Sequence, residues 1–257
     1  QAENPTVTSS PCGGEPDLTK QDFVPADGLI LMAAHVSRHG TLTQWMDASI
    51  TDETDPERRD PALDIYGADI KPPYAQAFLE TYRAAQIARN RKITAWVKHK
   101  LQELADKGRE NEEFAFVTHG TMADPRWLDP AIDPNDRKAE WCYLGEPKIV
   151  NNGPVGLARF STLRSWLSQW SYDDANADGP KSLAHVTKPV LVVGNSADDA
   201  CTPSHTQALF ESVAHDNKEM HEIKGATHYY LGQPELASKS AGLACDWMHK
   251  QGLMGTA

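Results

Sequence analysis

No stretch of this 257-residue chain stays apolar for long, and hydrophobic residues make up only 40% of it. A membrane-spanning helix needs ~20 consecutive apolar residues, so an integral membrane protein of that kind is excluded. Basic residues are in deficit: 25 Lys and Arg stand against 36 Asp and Glu, a net charge of −11. Such a field repels phosphate backbones and anionic membrane surfaces, which argues against nucleic acid or a membrane surface as partner. Cysteine is sparse. Cys12, Cys142, Cys201 and Cys245 form no C-x-x-C pair and no Cys/His cluster of zinc-finger spacing. They read as the reduced thiols of a cytoplasmic protein, with two disulfides in a secreted protein as the alternative. Ten histidines are present, but H-E-x-x-H, H-x-H and facial-triad spacings are absent. Neither a metal nor a cofactor is therefore expected.

What is present points to an α/β domain, alone or with an inserted lid. Gly28 to His35 (G-L-I-L-M-A-A-H) is a short apolar run bounded by turn residues, as in a strand buried on both faces. An acidic, Pro-containing connection follows over 47–74. The spacing of Phe78, Tyr82, Ala85, Arg89, Ile93, Trp96, Val97, Leu101 and Leu104 then predicts a long helix from Tyr74 to Lys107, ended by Gly108. Phe114–Thr118 reads as a strand. Gly156–Trp170 reads as a helix with Leu157, Phe160, Leu163, Leu167 and Trp170 on one stripe. The last 70 or so residues alternate cleanly: strand Lys188–Gly194, helix Ser204–Ala214, strand Lys218–Lys224, helix Glu235–Lys250. Short connections between such elements imply a parallel sheet.

In open parallel sheets, functional groups gather at the carboxyl ends of the strands. One predicted strand here ends in G-N-S-A-D-D-A-C-T-P, with Asp198 and Asp199. The next ends in G-A-T-H-Y-Y, with His228. A carboxylate that fixes the tautomer of an imidazole is the orienting half of a nucleophilic triad.

The run P-V-L-V-V-G-N-S-A-D-D-A-C-T-P-S-H, a helix, G-A-T-H-Y-Y and a closing helix together resemble the C-terminal end of an α/β-hydrolase. The order of acid before His fits that family. The resemblance implies that Asp198 is the acid and His228 the base. Asp199 is less favoured, because the family places the acid three residues after the position of Asn195. It also implies three regions: 1–34, the end of the nucleophile helix and a core strand; 35–171, a large, mainly helical lid with Trp45, Trp96, Trp127, Trp141, Trp166 and Trp170; and 172–257, the C-terminal core. The nucleophile elbow G-x-S-x-G is absent from this chain. Ser196 sits on the strand end of the acid. Gln1–Asn4 resembles the tail of the helix that follows the elbow. The expectation is a C-terminal part of an α/β-hydrolase with a separate N-terminal segment or subunit as partner. That partner supplies the nucleophile, and a higher homo-oligomer is compatible. The implied reaction is hydrolysis of a small apolar carboxylic ester, lactone or related acyl compound.

Two other classes compete. A non-catalytic binding scaffold of the same fold would retain Asp198 and His228 without a nucleophile. A histidine phosphatase would use Arg38-His39-Gly40 with His215-Asp216, but the second arginine expected shortly after R-H-G is absent. His119-Gly120 is similar to an oxyanion loop, yet no elbow follows it, and it reads as lid structure.

Overall fold

The computed structural model describes residues 1–254. The first 28 residues carry only a 3-10 turn at Leu18–Lys20, ahead of strand β1 (Leu29–Met32). Then come α1 (Arg38–Trp45), α2 (Gln76–Asp106), β2 (Ala115–Val117), α3 (Pro147–Asn152), β3 (Phe160–Thr162), α4 (Leu163–Gln169) and α5 (Gly179–Leu183). The chain returns through β4 (Val190–Asn195), α6 (Pro203–Ser212), β5 (Lys218–Ile223) and α7 (Pro234–Lys250). The architecture is mixed α/β, with a parallel sheet and a mainly helical insertion between β1 and β4.

The main sheet has the order β1-β4-β5 with every pair parallel. Leu29 pairs with Val190 and Met32 with Val193; Val190 pairs with Lys218 and Asn195 with Ile223. All six residues of β4 are buried, because both of its faces are covered. Val190 and Val192 face a cluster with Leu183 of α5 and Leu209 of α6. Leu191 and Val193 face Ile223, Ala226 and Trp247 of α7. Burial of each such aliphatic side chain stabilises the fold by roughly 1.5–3 kcal/mol. β1 is only half-buried despite its apolar sequence, and Met32 is exposed.

The insertion has a different interior. α2 packs on α4 through Ile93, Val97, Leu104, Leu163, Trp166 and Trp170. The middle of its buried stripe is polar. Gln86 donates to the carbonyls of Gln44 and Met46, and Asn90 to that of Trp170. Arg89 donates to the carbonyls of Asp47, His119 and Gly120. Trp96 of the predicted stripe is 38% exposed.

Two local expectations are corrected. Gly156–Trp170 is not one helix. Phe160–Thr162 pairs antiparallel with Ala115–Val117, and α4 starts only after Thr162, whose side chain caps Ser165 in a reciprocal box. The stripe spacing misled because Phe160 points to solvent, 74% exposed. Gln1–Asn4 is not helical either. The Gln1 side-chain carbonyl accepts from the backbone of Thr6 and Val7, and a few residues cannot form the cooperative hydrogen bonds of a helix alone.

Candidate active site at the carboxyl ends of β4 and β5

Beyond Asn195, the chain turns sharply through Ser196–Cys201 into α6. Asp198 makes that turn. Its Oδ1 accepts the backbone N–H groups of Ala200 at 2.8 Å and Cys201 at 2.6 Å, the way an aspartate holds a turn ahead of a helix. The side chain is fully buried. Beyond Ile223, the chain turns at Gly225, whose φ of +77° favours glycine, and runs to His228. The two loops are tied together. Ala197 N–H donates to the Ala226 carbonyl, Asn195 to the Thr227 carbonyl, and Tyr230 Oη–H to Asn195 Oδ1. Ser196 Oγ donates to Asp136 and accepts from Gly225 N–H, so this serine is occupied structurally.

The result is a close pair. His228 Nδ1 lies 3.2 Å from both carboxylate oxygens of Asp198. A carboxylate accepts only, so Nδ1 carries a proton, and in the neutral ring Nε2 is the nitrogen with the lone pair. The His228 side chain is 13% exposed. Asp199 plays another part: it takes a long 3.4 Å bond from His228 N–H, and its carbonyl accepts from Tyr143 N–H. Burial, reinforced by the Asp198 charge, raises its carboxyl above the usual carboxylate range.

Three neighbours escaped the sequence reading. Tyr143, from the insertion, places its ring 6.1 Å from that of His228, and His35 comes within 5.9 Å. Cys201 sits behind Asp198, its thiol donating to the Ala33 carbonyl at 3.0 Å. The strand-end rule that singled out Asp198 applies equally to His35, just past β1, so a signal for it existed. None existed for Tyr143. His35 also abuts Trp45 and His205. Burial, then the positive fields of His205, His228 and Arg126, push His35 down to about 3. Burial and Arg126 push His205 down to about 4. Burial and the Asp198 charge drive the Cys201 thiol far above its ordinary value, which makes it a poor nucleophile.

The other candidates lie apart. Arg38, His39 and Gly40 form the first turn of α1. Arg38 stacks 4.9 Å from the Trp170 ring and His39 edges onto Tyr172. His215-Asp216 precedes β5, at the amino end of the parallel sheet, whereas α1 follows the carboxyl end of β1. The phosphatase parts therefore sit at opposite ends. His119 and Gly120 offer their carbonyls to Arg89. A Cβ on Gly120 would come within 2.7 Å of Asp47 Cβ, so that glycine serves packing. Trp45, Trp127, Trp166 and Trp170 are buried in the insertion's cores. A cleft of about 590 Å³ beside α1, lined by Ser37, His39, Arg83 and Tyr172, does not include Asp198 or His228.

No family model matches the chain, and no curated protein matches it. Among solved structures, a monoacylglycerol lipase from Paleococcus ferrophilus is similar at 20% identity and a TM-score of 0.34, over 62% of this chain and 52% of that one. BpoC of Mycobacterium tuberculosis, described as a non-heme bromoperoxidase, is similar at 24% identity and a TM-score of 0.24, over 34% and 31%. The chain spans about half the length of the lipase. All four cysteines are free thiols, and no helix among the described residues is long and apolar enough to cross a membrane.

Proposed function

We propose that this chain supplies the acid and base of a hydrolase of the α/β-hydrolase type, acting on a carboxylic ester, lactone or related acyl bond. The observation that carries the proposal is the Asp198–His228 pair, fixed at adjacent parallel strand ends with Nε2 uncommitted. Among the described residues, the His228 ring hydrogen-bonds to Asp198 alone. The nucleophile, a serine in the favoured reading, comes from an N-terminal segment or a separate subunit. The half-buried apolar β1 is the edge on which that partner's strand would continue the sheet.

In this mechanism, Nε2 of His228 takes the nucleophile's proton as the nucleophile attacks the acyl carbon. Asp198 keeps the ring oriented and stabilises its charged form. His228 then returns the proton to the leaving alkoxide. A water, deprotonated by the same nitrogen, then attacks the acyl carbon; the bond to the nucleophile breaks, the nucleophile takes the proton back from His228, and the acid leaves. Backbone N–H groups of the partner segment hold the oxyanion. Tyr143, brought to the His228 ring by the insertion, lines the acyl or alcohol side, which gives the insertion the part of a lid.

Native and denaturing intact-mass analysis of the purified protein tests the partner. A second polypeptide released by denaturant supports it, and its sequence names the nucleophile. A single 28.3 kDa species in both states, hydrolysing no p-nitrophenyl ester, would defeat the reading.

A further inference from the structure

We propose that His35, Cys201 and His228 form a binding site for a borderline divalent metal ion, Zn²⁺ in the first instance. One donor atom from each of the three lies within 4.8 Å of the others. They arrive from three separate places: the chain beyond β1, the turn into α6 and the loop beyond β5. No local spacing announces them, since 165 or so residues separate the first from the second.

Four features fit an ion better than a chance cluster. The donor set, two imidazoles and one thiolate, suits zinc and disfavours Mg²⁺ or Ca²⁺, which take oxygen ligands. Nδ1 of His35 is buried without a hydrogen-bond partner, an unmet demand that a buried polar atom rarely carries. His228 already has Nδ1 on Asp198, the carboxylate–histidine arrangement that orients a metal ligand and raises its basicity. Charge also balances. On binding, the dication offsets the burial and the Asp198 charge that keep the Cys201 thiol protonated; the thiol loses its proton to solvent, and a sulfur–zinc bond forms in place of its bond to the Ala33 carbonyl. The dication, the thiolate and buried Asp198 then sum to zero. A tetrahedral zinc with bonds of about 2.0–2.3 Å holds its donors about 3.3–3.8 Å apart. Side-chain movement of about 1 Å closes the observed trio onto it, and leaves one position open to water.

Zinc and a reacting nucleophile need the same nitrogen of His228. The ion is therefore a reversible inhibitor of the proposed hydrolase, and this consequence alone rests on that reading.

Binding is measured without substrate, on the chelator-stripped protein in its native assembly. Titration with ZnCl₂ should show one equivalent bound. CoCl₂ should give a near-ultraviolet thiolate-to-cobalt band, and MgCl₂ no binding. Cys201→Ser should abolish the cobalt band, and both Cys201→Ser and His35→Gln should weaken zinc affinity at least tenfold. Cys201→Ala replaces the serine variant if near-ultraviolet dichroism shows that it misfolds. Zinc uptake unchanged in both variants, a cobalt spectrum without the thiolate band, or no uptake at all would each overturn the site. Site-specific uptake that leaves ester turnover unaltered would instead sustain the site and remove His228 from the catalytic role.

Discussion

The parallel sheet and the insertion solve the same problem with different materials. The sheet buries valine and leucine from β4 between α5 and α6 on one side and α7 on the other. Its strength is spread over many apolar contacts, each tolerant of modest change. The insertion buries charge. Asp124, fully enclosed, accepts from Arg126 and Arg83. Burial alone would raise its carboxyl, but the two guanidiniums overcome this and hold it well below the usual carboxylate range. Arg126 in turn donates to Thr202 and Gln44. Networks of this kind specify one arrangement but depend on every member. The Asp198–His228 pair stands where the two regions meet: Asn135 of the insertion donates to the Asp198 carbonyl.

Seven substitutions would break or sharpen that contrast. The largest effect is expected at the junction. His228→Ala should cut ester turnover by ~10⁴-fold or more while leaving the melting curve in place. Asp198→Asn should lose nearly as much and Asp199→Asn far less; the reverse order would reassign the acid.

Next comes the insertion's charge network. Asp124→Ala removes the buried carboxylate that pairs with buried Arg126 and half-buried Arg83 and should cost about 3–5 kcal/mol in urea unfolding. Leu191→Ala in β4 should cost about 2–5 kcal/mol through lost burial and a cavity. A milder change, Val192→Ala, should fall below Asp124→Ala. Equal sensitivity of all three would dissolve the contrast between the regions.

A pH dependence is expected as well. His35 and His205 are held neutral in the folded state, at about 3 and about 4, against an ordinary 6.5. Between those values the unfolded chain binds more protons than the folded one, so stability rises with pH. It is fully present above about pH 6.5 and drains away as pH falls toward 4, by up to about 1.4 kcal/mol per pH unit per histidine. Urea midpoints at pH 7 and pH 5 should show the drop, and His205→Gln should flatten it. An unchanged slope in that variant would remove His205 from the account.

Residue pattern carried β4, α6, β5 and α7 to within two residues at each end, while β1 ends at Met32, three residues short of the end of the Gly28–His35 run. Buried parallel strands read as continuous apolar runs, and α7 was legible over Glu235–Lys250 against an observed Pro234–Lys250. The long α2 was legible for the same reason of period. The insertion was read less well. Its interior uses Gln86, Arg89, Asn90 and Asp124, residue types that look like solvated surface until their partners are known. β3 was mistaken for helix because an apolar spacing of three or four fits both an amphipathic helix and a strand running into one.

The sequence by itself determined the periodic elements, their parallel order, and the order of Asp198 before His228, because burial imposes repeating patterns and strand ends collect functional groups. The family resemblance favoured Asp198 over Asp199, and the turn into α6 brings the Asp198 carboxylate to the imidazole. Tertiary structure alone brought His35, Cys201 and Tyr143 to the same place. Such convergence depends on how three loops pack, and packing across long separations leaves no period in the chain to read.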